Sequence, residues 1–246
     1  MKRSLKNLTE YTLKTKDGTN GKVSDFLFDE KQWTVRYLRA DFGSLFSSKK
    51  ILIPKVFLKT PLWEKEIFPS ELEKNDIENC PKPADHQPVS REYENTLFKY
   101  FKINPYWSAS YVGSPGLIYP PMPIDIPTKD FQEEDLNTIL RSFKEIEGYD
   151  IRAIDGKLGH IEDVIIDDSD WQIKYVIIDT KNWLPFSKKV IIAIDWMESV
   201  SYVKREIKIN LKTEVIKNAP EFHSTELIDS KFEKSLFDFY SRSLVK

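Results

Sequence analysis

The chain is short of the residues that would announce a chemistry. It has one cysteine, Cys80, so no intrachain disulfide can form. With no C-x-x-C pair and no Cys/His cluster, structural zinc and dithiol redox chemistry are excluded. The three histidines, His86, His160 and His223, stand far apart. No apolar run exceeds about five residues, as at 190–194, against the roughly 20 that cross a bilayer as a helix. Basic residues open the chain, but no apolar stretch follows them, so a secretory signal is not expected. Neither sign of charge dominates: 37 Lys+Arg against 39 Asp+Glu leave a net −2, which argues against a chain that coats nucleic acid or an anionic membrane. No G-x-x-x-x-G-K-[ST] or G-x-G-x-x-G phosphate loop occurs. What is present, 40% apolar, 13% aromatic and 31% charged, is globular material. The expectation is a soluble, cytoplasmic protein of one or two domains.

An internal repeat is the main signal. Asp17-Gly18 recurs as Asp155-Gly156, 138 residues later. At that offset Gly21 meets Gly159, Asp25 meets Asp163, Trp33 meets Trp171, Tyr37 meets Tyr175 and Asp41 meets Asp179. One inserted residue moves the offset to 139, where Ser48-Lys49-Lys50 meets Ser187-Lys188-Lys189, Pro81 meets Pro220 and Leu97-Phe98 meets Leu236-Phe237. Chance matches would not gather on Gly, Trp and Pro. Only eight glycines occur, and four of them form the two pairs Gly18/Gly21 and Gly156/Gly159, which points to a backbone requirement, most simply positive φ in tight turns.

Each copy reads as short strands. The Asp-Gly pairs suit hairpin turns. Strands are expected at 22–28, 33–40 and 50–53, and again at 160–166, 171–178 and 190–194, with Trp33, Val35 and Tyr37 on one face. Short strands and tight turns imply a small antiparallel barrel, closed so that no edge is left free. A helical tail follows each barrel. In the second copy a helix at 211–218 stops at Pro220, and a capping box at Ser230 opens another with Phe232, Leu236, Phe239 and Tyr240 on one side. Tyr93, Leu97, Tyr100 and Phe101 repeat that stripe. The expected fold is therefore mainly β, two small antiparallel barrels from a duplication, each followed by short helices. The units run 5–101 and 145–246, with a Pro- and aromatic-rich linker at 102–144.

These residues resemble the PRC-barrel family, known from the cytoplasmic region of the photosynthetic reaction-centre H subunit and from the C-terminal domain of the ribosome maturation factor RimM. The motif reads Asp17-Gly18-Thr19-Asn20-Gly21-Lys22-Val23-Ser24-Asp25 and Asp155-Gly156-Lys157-Leu158-Gly159-His160-Ile161-Glu162-Asp163. The resemblance implies a non-enzymatic binding or assembly adaptor; the alternative it permits is a ribosome-maturation or RNA-associated factor. Two departures stand out: no transmembrane helix like that of the reaction-centre subunit, and two barrels with no separate domain ahead of them.

Catalytic chemistry is mostly missing. Gly113-Ser114-Pro115-Gly116 lacks the spacing of a nucleophile elbow. Asp167-Asp168-Ser169-Asp170 lacks the glycine and distal glutamate of a calcium loop and reads as a turn. Asp25 and Asp163 are carboxylates inside apolar strands; because both copies carry one, a structural role accepting backbone N–H bonds from the Gly turn is favoured over proton handling. Trp33 and Trp171 read as barrel plugs. The structural motif is thus Asp17, Gly18, Gly21, Asp25, Trp33 and Asp155, Gly156, Gly159, Asp163, Trp171. No catalytic residue, metal or cofactor is expected. An unidentified protein partner is, and a homodimer seamed by Phe232, Leu236 and Tyr240 is a further expectation; nucleic acid is not.

Overall fold

The computed structural model describes residues 1–43, 49–83, 89–107, 140–180, 188–223 and 228–244. Most of the Pro-rich linker, with Tyr111, Tyr119 and Gly113-Ser114, and also His86, lie outside the described residues. The first half contains β1 (Lys2–Ser4), α1 (Leu5–Leu8), β2 (Thr12–Lys14), β3 (Asn20–Asp29), β4 (Thr34–Asp41), β5 (Lys50–Pro54), β6 (Ile67–Pro69), α2 (Lys74–Asn79) and α3 (Arg91–Phe101). The second contains β7 (Leu140–Ser142), α4 (Phe143–Ile146), β8 (Asp150–Ala153), β9 (Gly156–Asp167), β10 (Ile173–Asp179), β11 (Lys189–Ala193), β12 (Met197–Ser201), β13 (Glu206–Ile209), α5 (Thr213–Asn218) and α6 (Ser230–Leu244).

The fold is mainly β, in two sheets. One runs β5-β4-β3-β2-β6 with β7 added on β3; the other runs β11-β10-β9-β8-β13-β12 with β1 added on β9. The long strands form because apolar residues, most of them β-branched or aromatic, cover one face: Val23, Phe26, Phe28, Val35 and Leu38 in one sheet, Ile161, Val164, Ile166, Ile173 and Val176 in the other are all buried. A bulge at Arg36 puts Tyr37 on the opposite face from Val35, against the expected alternation. Alternation is broken at matching places. β3 carries an extra residue, Ser24, between the pairs Val23–Ala40 and Asp25–Arg39, and β9 carries Glu162 between the pairs Ile178–Ile161 and Ile177–Asp163. Such bulges re-aim the next side chain. They turn Asp25 and Asp163 inward.

Closed, wholly antiparallel barrels are not what forms. Among the described residues β5 and β6 end the first sheet, β11 and β12 end the second, and neither pair of ends joins. In each sheet one contact is parallel, β2 with β6 and β8 with β13. In the first sheet Pro54 and Pro69, which lack an N–H, end the two terminal strands. In the second the tail caps the edge: Phe222 N–H donates to Lys189 O at 2.7 Å, and Tyr240 Oη–H to Ile191 O at 3.0 Å. A side chain and a loop thus do what another strand would do in a barrel.

Candidate functional site

The first strand of each half lies on the sheet of the other half. β1 pairs with β9 (Ser4 opposite Ile165), and β7 pairs with β3 (Ser142 opposite Leu27), both antiparallel. The exchange crosses the unit boundaries read from the sequence, since Leu5–Leu8 goes with the second sheet and Leu140–Ile146 with the first.

Each exchanged segment is tied down by a buried aspartate. Ser4 is the N-cap of α1: its Oγ accepts the Asn7 N–H at 3.0 Å and donates its own proton to Asp163 Oδ2. Asp163 Oδ1 takes N–H bonds from Lys6 at 3.0 Å and Val164 at 2.7 Å. Ser142 repeats this on α4, accepting from Glu145 N at 3.1 Å and donating to Asp25 Oδ2 at 2.5 Å. Asp25 Oδ1 takes Lys144 N–H at 3.2 Å and Phe26 N–H at 2.8 Å, and Arg39 lies 3.5 Å from Oδ2. The donors come from the exchanged helix starts and from the next residue in the strand, not from the Gly turns expected to supply them. Burial outweighs these donors and raises both carboxyls above their usual range, Asp163 to about 6.

A second joint lies beside them. Val35 N–H donates to Trp171 O at 2.9 Å and Ile173 N–H to Trp33 O at 2.6 Å, around an antiparallel bridge between Thr34 and Gln172. Both tryptophans hold left-handed backbone, φ 52° and 64°. That conformation costs a non-glycine residue about 1 kcal/mol or more. Trp171 leaves its own sheet, while Trp33 keeps one ring contact in its own. Trp171 packs across the seam on Phe26 and Phe68, ring centres 6.1 and 5.8 Å away. Trp33 stacks on Phe28 at 5.2 Å and faces Met197, Val200 and Tyr202 of the other half over a groove of about 320 Å³. The exchanged strands reach back as well: Arg3 lies 3.9 Å over Trp63, and Arg141 lies 3.6 Å over Tyr202.

The tails cover their own sheets. Glu94 of α3 accepts Tyr37 Oη–H at 2.8 Å and pairs with Arg91 at 3.1 Å; Glu233 of α6 accepts Tyr175 Oη–H at 2.7 Å and pairs with Lys2 at 3.1 Å. Asp229, not Ser230, caps α6, taking Phe232 N–H at 2.8 Å. Leu236 and Tyr240 are buried within the chain, Phe232 packs on Phe222 at 6.1 Å, and Phe237 remains 67% exposed. A seam between chains on Leu236 and Tyr240 would first have to strip the tail from its sheet.

The turn residues divide. Asp17 and Asp155 reach the short helices, taking Lys74 N–H at 2.9 Å and Thr213 N–H at 2.7 Å. These bonds hold both carboxyls low, Asp17 at about 2 with the Thr15 hydroxyl as the largest cause. Of the four motif glycines only Gly18 has positive φ, 89°. Gly21 and Gly159 are instead places of close approach: a Cβ would lie 2.8 Å from the Phe42 ring or 2.2 Å from Asp179 O. Gly156 begins β9 after a two-residue turn, and a Cβ there meets only Thr213 Cγ2 at 3.8 Å. The acidic turn is met by cations, Asp167 by Lys2 at 2.8 Å and Asp168 by Arg3 at 3.2 Å. Among the described residues no three His, Cys, Asp or Glu side chains gather as metal ligands. Cys80 is buried, its thiol pushed up to about 12.

Sequence reasoning missed the exchange, although a signal was there. Arg3-Ser4-Leu5-Lys6 and Arg141-Ser142-Phe143-Lys144 share R-S-x-K at the same 138-residue offset.

Residues 140–216 match the family description PRC-barrel domain, so such a domain is present from β7 into α5. No curated protein matches the chain.

Proposed function

We propose that the chain is a non-enzymatic binding and assembly module made of two PRC-type units, related by duplication and locked into one body by their exchanged strands. The PRC-barrel domain at 140–216 fits a family-level adaptor role. The duplication draws support from contacts that recur 138 or 139 residues apart: Ser142–Asp25 with Ser4–Asp163, Tyr37–Glu94 with Tyr175–Glu233, and Lys49 Nζ to Glu78 O with Lys188 Nζ to Lys217 O. The observation that carries the adaptor reading is how the buried carboxylates are used. Asp25 and Asp163 each take two bonds from the exchanged segment of the other half and one from the next residue of their own strand, which commits their oxygens to architecture more than to a reacting group. A protein partner is favoured over RNA because the cations of the exchanged strands, Lys2, Arg3 and Arg141, are already paired with acids.

Crosslinking and purification of the tagged full chain from its native cells tests this. The reading expects one or a few proteins in fixed stoichiometry, with crosslinks converging on one face. Recovery of the chain alone at every crosslinker dose contradicts it.

A further inference from the structure

What the fold needs occurs in both halves of this chain; one cluster occurs in only one. Beside β4 of the first half lies a recess of about 150 Å³, walled by Val56, Phe98 and Tyr106 and faced by Arg36 and Lys55. Arg36 is the bulged residue of β4, between the pairs Tyr37–Leu27 and Val35–Phe28. Its Nη2 pairs with Asp29 at 3.2 Å, its guanidinium lies 4.3 Å over the Tyr106 ring, and its Nε is buried with no hydrogen-bond partner. Lys55 Nζ donates to the carbonyl oxygen of Asp170 at 3.0 Å. Burial, and then the neighbouring Arg36, hold the Lys55 ammonium below its usual range. Next to them Arg91 pairs with Glu94, whose carboxyl burial pushes upward. Arg36, Lys55 and Arg91 are thus gathered beside Asp29 and Glu94, with Asp170 also near Lys55, and one buried Arg36 N–H is unused.

The corresponding positions of the second half are Lys174 and Ile194. Lys174 turns to Asp170 at 3.2 Å, and with Ile194 the second cation is gone. The Arg36–Lys55 pair is thus no requirement of the fold. Burying two neighbouring cations is costly without an anion between them. The walls are apolar and the recess is small, which suits a carboxylate on a short branched stem and leaves no room for a nucleotide.

The geometry points to this recess as a binding site for an apolar monocarboxylate, with the carboxylate between Arg36 and Lys55 and the stem against Val56 and Phe98. That chemistry belongs both to a small free acid and to the C-terminal residue of a partner chain; only the second source rests on the adaptor reading.

Calorimetric titration of the full chain with isovalerate, the matching alcohol and inorganic phosphate tests it. Isovalerate is expected to saturate, with the alcohol and phosphate at least about tenfold weaker. Lys55→Met keeps the stem and removes the charge; it is expected to weaken isovalerate at least about tenfold with no loss of melting temperature. No saturable isovalerate binding by the folded wild type, or equal binding by Lys55→Met, overturns the site. A peptide ending in valine, as acid and as amide, separates the sources. Tighter binding of the acid than of isovalerate places the ligand on a partner chain. Isovalerate binding with no gain from the peptide keeps the site, assigns it to a small molecule and counts against its use by an adaptor.

Discussion

A methyl group on Gly159 would sit 2.2 Å from the carbonyl oxygen of Asp179, and backbone on both sides leaves nothing soft to yield. Gly159→Ala is therefore expected to cost about 2 kcal/mol or more, as overpacking does. Gly156→Ala, whose Cβ meets only ordinary contact with Thr213, should stay within about 0.5 kcal/mol. Urea unfolding of the two variants checks this, and equal losses would mean that β9 and β10 approach less closely. The four glycines look alike in the sequence, but one serves a left-handed turn and two serve close approach, a difference decided by neighbours some 20 residues away and so not legible locally. Asp163 gives a second test at this scale. Its carboxyl moves from an ordinary value of 3.8 to about 6 in the folded chain, mainly by burial. The folded state therefore binds the proton more tightly, so this group's contribution is full below about pH 4 and is lost as pH rises through 6. Asp163→Asn removes that titration. The stability of wild type relative to the variant should be greater at pH 4.5 than at pH 7.5 by on the order of 2 kcal/mol. A difference that is flat or rises with pH, measured by denaturant unfolding, refutes the buried placement.

At the scale of elements the exchanged strand–helix segments are the most consequential parts, although α1 and α4 have only four residues each. A helix that short is not stable by itself. It is held by a serine that caps it and at the same time bonds a buried carboxylate. Ser4→Ala and Ser142→Ala each remove both bonds and should cost about 1–3 kcal/mol. Losses below about 0.5 kcal/mol in thermal or urea unfolding, the size of a surface change, would show that the segments are loosely laid on their sheets. The long strands were legible because they are dense in β-branched, aromatic and other apolar residues between polar turns: 22–28 and 50–53 fall inside β3 and β5, and 160–166 falls inside β9. The three- and four-residue strands were not. They carry too few residues for a period to show, and β1 and β7 take their partners from 161–165 and 111–115 residues away. The closed barrel failed for a related reason. Nothing in the local pattern says that a tyrosine and a loop N–H would occupy the edge of β11 where another strand was expected.

At the scale of the whole molecule, each sheet is incomplete without a strand from the other half, and the seam adds the paired hydrogen bonds of Trp33 and Trp171. The tryptophans were visible as a repeated pair, but their destination across the seam depends on left-handed backbone at residues that usually avoid it. The central claim is that the halves are joined by these non-covalent contacts and not by the chain between them. A protease site placed within 108–139 and cut after folding measures this directly. The account predicts that the two fragments stay together as a one-to-one complex on a sizing column at physiological salt and unfold in a single transition. Separation of the fragments, each still folded, would contradict it.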